Sequence, residues 1–247
     1  HRGIADGSGG FNDNRRRAVA VTAGGVASTV RLNSLTTFTD VRGGDTNLYG
    51  DDAFSRLNAY SGGVLQTPAL TKLSGVFIAK DAVSSIDTAQ ITELSYGSID
   101  FNGPLTYDLG NVTNLSHTTV SVAGAGRSIA FTKATNIDGA NFYVAGGARL
   151  SLPVATSYSH VSTGNFQQRQ YQAAGAGSVS DLSGLTSITG DTASSNPIYI
   201  EAINDGFDRL PADATPKLGP DASGVGWVFE YALVDTTGRN DLASLRS

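Results

Sequence analysis

The sequence predicts an all-β fold, a right-handed parallel β-helix (β-solenoid) built from coils of about 21 residues. Three observations predict it: a short phrase that recurs in one frame, β-like segments that end at Gly-rich turns, and no stretch with a sustained helical period. With three loop insertions, the 247 residues correspond to about nine coils, which we expect to form a single domain, residues 1–247.

The recurring phrase is an apolar or small residue followed by Thr, with a second apolar or aromatic residue two positions after that Thr. Successive Thr residues are 35, 21, 21, 22, 21 and 30 positions apart, so two coils carry extra residues. Extra residues at turns are tolerated because the entropy of loop closure rises slowly with length. The seven residues of this Thr column are Thr36, Thr71, Thr92, Thr113, Thr135, Thr156 and Thr186.

Between these phrases the sequence is β-like. Segments 119–122 and 141–144 are rich in β-branched or aromatic residues and are followed by Ala-Gly, and a second short strand comes after the turn. A unit of this size cannot bury its own apolar face, so neighbouring units must stack. The leucine-rich consensus is missing and propeller blades need about 40 residues, which leaves a parallel β-helix.

The phrase divides the chain into regular coils over residues 18–190 and looser coils with insertions over 191–247. The three insertions are expected at Asp40–Asp52, Ser159–Gln172 and between Asp205 and Gly226. Because the chain stops within a repeat phrase, we expect a segment of a longer chain with flanking domains or neighbouring solenoid repeats.

Composition limits the function classes. A net charge of −5 argues against nucleic-acid binding, which needs a concentrated basic surface. The absence of Cys removes disulfides, thiolate metal sites and Cys nucleophiles. The longest uncharged run near the start, 18–30, is too short and too polar to span a bilayer, so no membrane span is expected in this segment.

Two interpretations of the Thr column are possible. An outward ladder of hydroxyls on a flat face could order water, as in ice-binding solenoids, but Lys72 and Glu93 stand beside the column and would spoil such a surface. The favoured interpretation is a structural ladder, in which the hydroxyls bond to turn backbone.

Candidate binding residues come from one column and one loop. The position four residues after each Thr holds Tyr96, His117 and His160, which would line a shallow polar and aromatic strip suited to sugar, or would simply be variable turn residues. The second insertion adds residues that suit a carbohydrate or protein contact surface. These added candidates are Phe166, Arg169 and Tyr171.

A catalytic alternative rests on Asp87 and Asp108, which lie five residues before consecutive Thr positions. We therefore expect them on consecutive coils, about 5 Å apart at the backbone. That spacing resembles the carboxyl pair of retaining glycosidases. Solubilising charge on a sheet face is the simpler interpretation.

No cofactor is expected, although the first insertion collects hard oxygen ligands that suit Ca²⁺ on a Gly-containing loop. Neither the EF-hand spacing nor the calcium-binding nonapeptide is present. The weak candidates for calcium are Asp40, Asp45, Asp51 and Asp52.

The phrases at 181–188 and 152–158 resemble the repeats of large, repetitive bacterial exoproteins and autotransporter-like adhesin passengers. The resemblance covers residues 18–188 well, and it implies a secreted, extracellular or cell-surface bacterial protein. We therefore expect a non-enzymatic structural or adhesive module that contacts glycans or proteins through its loops. The alternative is a polysaccharide-active β-helix enzyme, a lyase or glycosidase that uses surface carboxylates.

Overall fold

The computed structural model describes residues 18–41, 54–102, 107–160, 168–190, 198–203 and 206–209. The chain divides into two compact units, residues 1–112 and 113–247. All regular structure in the described residues is β-strand, which confirms the all-β prediction. Within these ranges no helix has the length and apolar character needed to cross a membrane.

The first unit contains short strands separated by tight turns. In chain order they are β1 (Ala20–Gly24), β2 (Thr29–Arg31), β3 (Thr37–Thr39), β4 (Ser55–Tyr60), β5 (Val64–Gln66), β6 (Lys72–Ser74), β7 (Val76–Lys80), β8 (Ser85–Ile86), β9 (Glu93–Ser95) and β10 (Ser98–Asn102). Its sheets have the orders β1-β4-β7-β10, β2-β5-β8 and β3-β6-β9. Each strand therefore pairs with the strand three places further along the chain, and the described pairs are parallel.

The second unit repeats this arrangement. Its described strands are β11 (Thr119–Ala123), β12 (Ser128–Ala130), β13 (Asn141–Ala145), β14 (Arg149–Ser151), β15 (Ser157–Ser159), β16 (Arg169–Ala174), β17 (Val179–Asp181), β18 (Ser187–Thr189), β19 (Ile198–Ile203) and β20 (Phe207–Arg209). They form parallel sheets of order β11-β13-β16-β19, β12-β14-β17-β20 and β15-β18. A single parallel bridge, Asn114 to Asn136, lies outside the described strands of this unit.

The pairing register reproduces the spacing of the Thr column. Thr37 lies opposite Lys72, an offset of 35 residues, and Lys72 lies opposite Glu93, an offset of 21. In the second unit Ser157 lies opposite Ser187, an offset of 30. The recurring phrase thus marks equivalent positions on paired strands.

Two of the expected insertions are shorter than predicted. Arg169–Gln172, which the sequence analysis assigned to a loop, belongs to strand β16. Phe207–Arg209, expected at the start of the third insertion, forms β20 and pairs with β17. The Gln-rich run looked like loop because it is polar, yet every second residue from Tyr171 onward is buried, which is the alternation of a half-buried strand. The remainder of the third insertion lies outside the described residues.

The core includes the apolar positions on either side of the Thr column and the inward residues of the longer strands, such as Leu57 and Phe142. Leu70, Leu73, Leu94 and Leu115 have no exposed surface. The equivalent Leu35, next to the edge strand β3, is only partly buried. At about 25 cal/mol per Å² of buried apolar surface, this interior supplies the main stabilising term.

The Thr column forms the structural ladder that the sequence analysis favoured. The Thr92 hydroxyl donates to the Thr71 carbonyl oxygen (3.2 Å), and the Thr186 hydroxyl donates to that of Thr156 (2.9 Å). Because these hydroxyls bond to the backbone of the preceding repeat, they help to fix the register of neighbouring strands.

Candidate functional site

Four of the seven positions in the column four residues after each Thr have left-handed backbone. In the first unit Gly75 and Tyr96 have φ of 68° and 52°, and in the second unit His117 and Gly139 have φ of 56° and 65°. Glycine adopts this conformation without cost, whereas a larger residue is strained by roughly 1–2 kcal/mol. The two glycines thus suit the backbone at their positions, whereas Tyr96 and His117 adopt it at a cost, which the sequence analysis did not identify.

His117 lies against Gly139, the equivalent residue of the next repeat. A Cβ atom at Gly139 would overlap the His117 imidazole ring, so the missing side chain leaves the space that the ring occupies. The His117 amide also donates to the Asp138 carbonyl oxygen at 2.7 Å. Ring and backbone of His117 are thus both fixed by residues 138–139.

Burial lowers the pKa of the His117 imidazole below its usual value, and the nearby Arg169 guanidinium and His160 imidazole lower it further. The Asp138 carboxylate opposes this effect only in part. Asp138 Oδ1 also accepts a hydrogen bond from the Ser159 amide (2.7 Å), which ties it to the following coil. In the second unit His160, Arg169 and Asp138 therefore lie near His117, and we call these four residues the cluster.

Beneath this cluster lies a buried aromatic group. The rings of Tyr158 and Tyr171 meet edge to face with centroids 4.9 Å apart, and Phe142 lies 5.1 Å from Tyr171. The Tyr158 hydroxyl donates to the Ala140 carbonyl oxygen at 3.2 Å. Burial raises the pKa of both Tyr158 and Tyr171 well above that of an exposed tyrosine, so both phenols stay neutral.

The predicted binding residues are distributed between interior and surface. His160 has no exposed surface and Tyr171 has 1%, so in this structure both support the cluster from inside. Arg169 is half-buried, on the same side of β16 as Tyr171, and its Nη1 donates to the Gln168 carbonyl oxygen. Tyr96 is 46% exposed and belongs to the first unit. Phe166 lies outside the described residues.

The two candidate catalytic carboxylates each bond to turn backbone. Asp87 Oδ2 accepts from the Thr67 amide at 3.1 Å, and the Thr67 hydroxyl donates to the Asp87 carbonyl oxygen at 3.0 Å. Asp108 Oδ1 accepts from the amide of Gly110, two residues further along its own turn, at 3.3 Å. Both side chains are exposed, and these bonds assign each carboxylate a structural task at a turn.

Of the calcium candidates, the structure describes Asp40. Its Oδ2 accepts from the Ser55 hydroxyl (2.9 Å), whose oxygen in turn accepts from the Val19 amide (3.0 Å). Asp40 therefore helps to join the two ends of the first insertion. Asp45, Asp51 and Asp52 lie outside the described residues, and the described parts of the chain contain no group of three His, Asp or Glu side chains placed to hold a metal ion.

A group of outward residues was missed by the sequence analysis. On β13, β16 and β19 the residues that point away from the core include two tyrosines, two glutamines and one glutamate, all half-buried. They lie in two rows, because Tyr143 is opposite Gln172, which is opposite Glu201, while Gln170 is opposite Tyr199. We call this surface the outer strip: Tyr143, Gln170, Gln172, Tyr199 and Glu201.

The residues of the outer strip could be seen in the sequence, but they do not belong to the repeated phrase. Tyr143, Tyr199 and the Gln170–Gln172 alternation occupy outward positions, whereas the repeated phrase reports on inward positions and turns. Burial raises the pKa of the Tyr143 phenol, with opposing contributions from Arg169, which lowers it, and Glu201, which raises it.

Comparison with known proteins gives short matches only over a 48-residue stretch. No family model matches the sequence, and no solved structure matches it. Over 48 residues the chain is 56% identical to the cation efflux system protein CusA of Escherichia coli K12 and 54% identical to the putative cation efflux system protein SilA of Salmonella typhimurium. The matched stretch is 19% of this chain and 5% of each relative, so the chain spans only a small fraction of their length.

Proposed function

We propose that the strands form a right-handed parallel β-helix with about three short strands per coil and coils of about 21 residues. The support is the register, since each strand pairs in parallel with its counterpart one phrase further along. The Thr ladder adds a second contact at the same offset. In this arrangement an insertion projects at a turn and leaves the strands around it paired.

We propose that the chain is a non-enzymatic structural or adhesive module that acts outside the cell or on its surface and contacts glycans or proteins. One observation carries this proposal. An insertion between β3 and β4 raises the offset of β1 and β4 to 36 residues, yet all five residues of β1 remain paired. A scaffold that tolerates insertions without losing register suits the display of contact surfaces, because loops on rigid frameworks commonly carry function.

The named activity of the matched relatives is not extended to this chain. CusA and SilA are named for cation efflux, and 5% of a protein is too little to support transfer of its activity. The carboxylates of Asp87 and Asp108 are held by turn amides, which favours a structural role over a catalytic one.

Binding and turnover assays on the intact chain test the proposed function. The chain is applied to a glycan array and to immobilised extracellular-matrix proteins, and in parallel it is incubated with soluble polysaccharides while reducing ends and unsaturated products are measured. We expect saturable binding to at least one glycan or protein and no product above the level of buffer. Turnover of a polysaccharide that is lost in the double variant Asp87→Asn, Asp108→Asn would overturn the proposal, as would binding to neither class.

A further inference from the structure

The outer strip carries large side chains that the sheet does not need. On β11 the same two rows are occupied by Thr119 and Ser121, and β11 pairs with β13 over five residues all the same. Small polar residues are therefore sufficient for the sheet to form at these positions. The tyrosines and glutamines on the three following strands call for an explanation other than strand pairing.

The centre of the strip is a hydrogen-bonded polar network. The side-chain amides of Gln170 and Gln172 both donate to Glu201 Oε2, the latter at 3.0 Å. The Gln170 backbone amide donates to Asn141 Oδ1 at 2.8 Å, which fixes the neighbouring strand. Because two amides hold one carboxylate, the directions of the remaining donors and acceptors on these side chains are set before any ligand arrives.

Two tyrosine rings stand at the margins of this network. Tyr143 on β13 and Tyr199 on β19 are separated by two strand spacings across the sheet and two residues along it, about 12 Å in all. A tyrosine ring offers a flat apolar face and a polar hydroxyl. The distance between these two backbone positions is greater than one sugar ring, so both side chains can contact the same ligand only if that ligand is extended.

The placement of polar and aromatic groups distinguishes between ligand classes. Protein interfaces place aromatic anchors at a dry centre and polar groups at the rim. Here the polar network of Gln170, Gln172 and Glu201 is central and the tyrosines are marginal. The Glu201 carboxylate gives the centre of the strip a negative charge that the two glutamine amides partly satisfy, so the strip suits an uncharged ligand better than a polyanion.

We propose that the outer strip binds an uncharged, linear oligosaccharide. Its sugar rings stack on Tyr143 and Tyr199, and its hydroxyls bond to Gln170, Gln172 and Glu201 between them. This inference rests on the glycan contact in the proposed function, and it places that contact on a sheet face rather than on the loops.

Titration calorimetry on the whole chain tests the inference. The probes are the uncharged six-sugar oligomers of cellulose, mannan and amylose, together with hexagalacturonate as the charged counterpart. We expect one uncharged probe to bind, and Tyr143→Ala and Tyr199→Ala each to weaken it at least about tenfold, the loss typical of an aromatic contact residue. Tyr143→Phe should retain most of the binding because it keeps the ring.

The matched control is Tyr60→Ala. Tyr60 is an aromatic residue, 52% exposed, on the corresponding sheet of the first unit, and its loss should leave binding unchanged. Saturation-transfer NMR gives a second readout, since sugar protons on a stacked ring receive magnetisation from tyrosine. Melting curves of each variant show whether the fold is intact.

Three results would overturn the inference: no uncharged probe binds, hexagalacturonate binds more tightly than every uncharged probe, or the two tyrosine-to-alanine variants bind as the wild type does. If the chain still binds a glycan or protein on the arrays in any of these cases, the proposed function stands and only the outer strip is excluded. If the chain also binds no glycan or protein on the arrays, both the outer-strip inference and the proposed function are excluded.

Discussion

The imidazole ring of His117 occupies the space in which a side chain of Gly139 would stand. Both residues have left-handed backbone, and they follow consecutive positions of the Thr column by four residues. The pair therefore links a conformational requirement of the turn to the packing of a titratable group. It also gives two experiments with sharp controls.

The first prediction concerns Gly139→Ala. The new methyl group would meet the His117 ring and would have to adopt a φ near 65°, so we expect a loss of about 2–4 kcal/mol in the free energy of unfolding. Chemical denaturation measures it. Gly126→Ala is the control, because Gly126 has a similar φ of 74° with no atom near its would-be Cβ, and it should lose only about 1 kcal/mol. Equal losses in the two variants would show that the ring contact has no energetic weight.

The second prediction is a pH dependence. The folded-state pKa of His117 lies below its unfolded value of about 6.5, so between these two values the unfolded chain binds more protons. The stability contributed by the neutral imidazole is therefore fully present above a pH of about 6.5 and declines as the pH falls towards the folded-state pKa. We expect the slope of unfolding free energy against pH, measured between pH 7 and 5, to be shallower in His117→Gln. An unchanged slope would contradict the buried, neutral state of this imidazole.

The third prediction compares one column on two coils. Leu70 and Leu35 both precede a Thr of the column, but Leu70 has no exposed surface and Leu35 is partly exposed. Leu70→Ala should cost about 2–5 kcal/mol and Leu35→Ala clearly less, since cavity cost depends on complete enclosure. Urea titrations of both variants decide this. A larger loss of unfolding free energy for Leu35→Ala than for Leu70→Ala would contradict the assignment of Leu70 to the fully enclosed core.

The fourth prediction concerns the Thr ladder. Thr186→Val removes the hydroxyl that donates to the Thr156 carbonyl oxygen while it preserves shape, and we expect a loss of about 1 kcal/mol. Thr186→Ser keeps the hydroxyl and should retain most of that stability. If both variants melted at the wild-type temperature, the hydrogen bonds of the Thr ladder would contribute nothing measurable to stability.

Much of the fold could be predicted because inward positions repeat. The apolar residues beside each Thr face the interior in each repeat, so Leu73 and Leu94 recur in register and lie fully buried. The pairing offsets of 21 and 35 residues could be predicted from the spacing of the Thr column for the same reason.

The candidate site could be predicted only in part. His117, His160 and Arg169 were identified individually, but their grouping with Asp138 in the cluster depends on strand β16, which begins at a residue that the sequence analysis placed in a loop. Interior location was also unpredictable, because a polar residue such as His160 gives no periodic signal of burial. The outer strip was missed because outward positions need only be polar, and such positions do not repeat.

The central claim is that strands pair one phrase apart, and engineered disulfides test it most directly because the chain has no Cys. The hydroxyls of Ser74 and Ser95 are 3.2 Å apart on paired positions, so the double variant Ser74→Cys, Ser95→Cys should form a disulfide readily under mild oxidation. The out-of-register pair Ser74→Cys, Thr92→Cys is the control and should stay reduced. Rapid oxidation of the first pair alone, measured by thiol titration and peptide mapping, is the predicted result. Equal oxidation of both pairs, or of neither, would contradict the register on which the whole account rests.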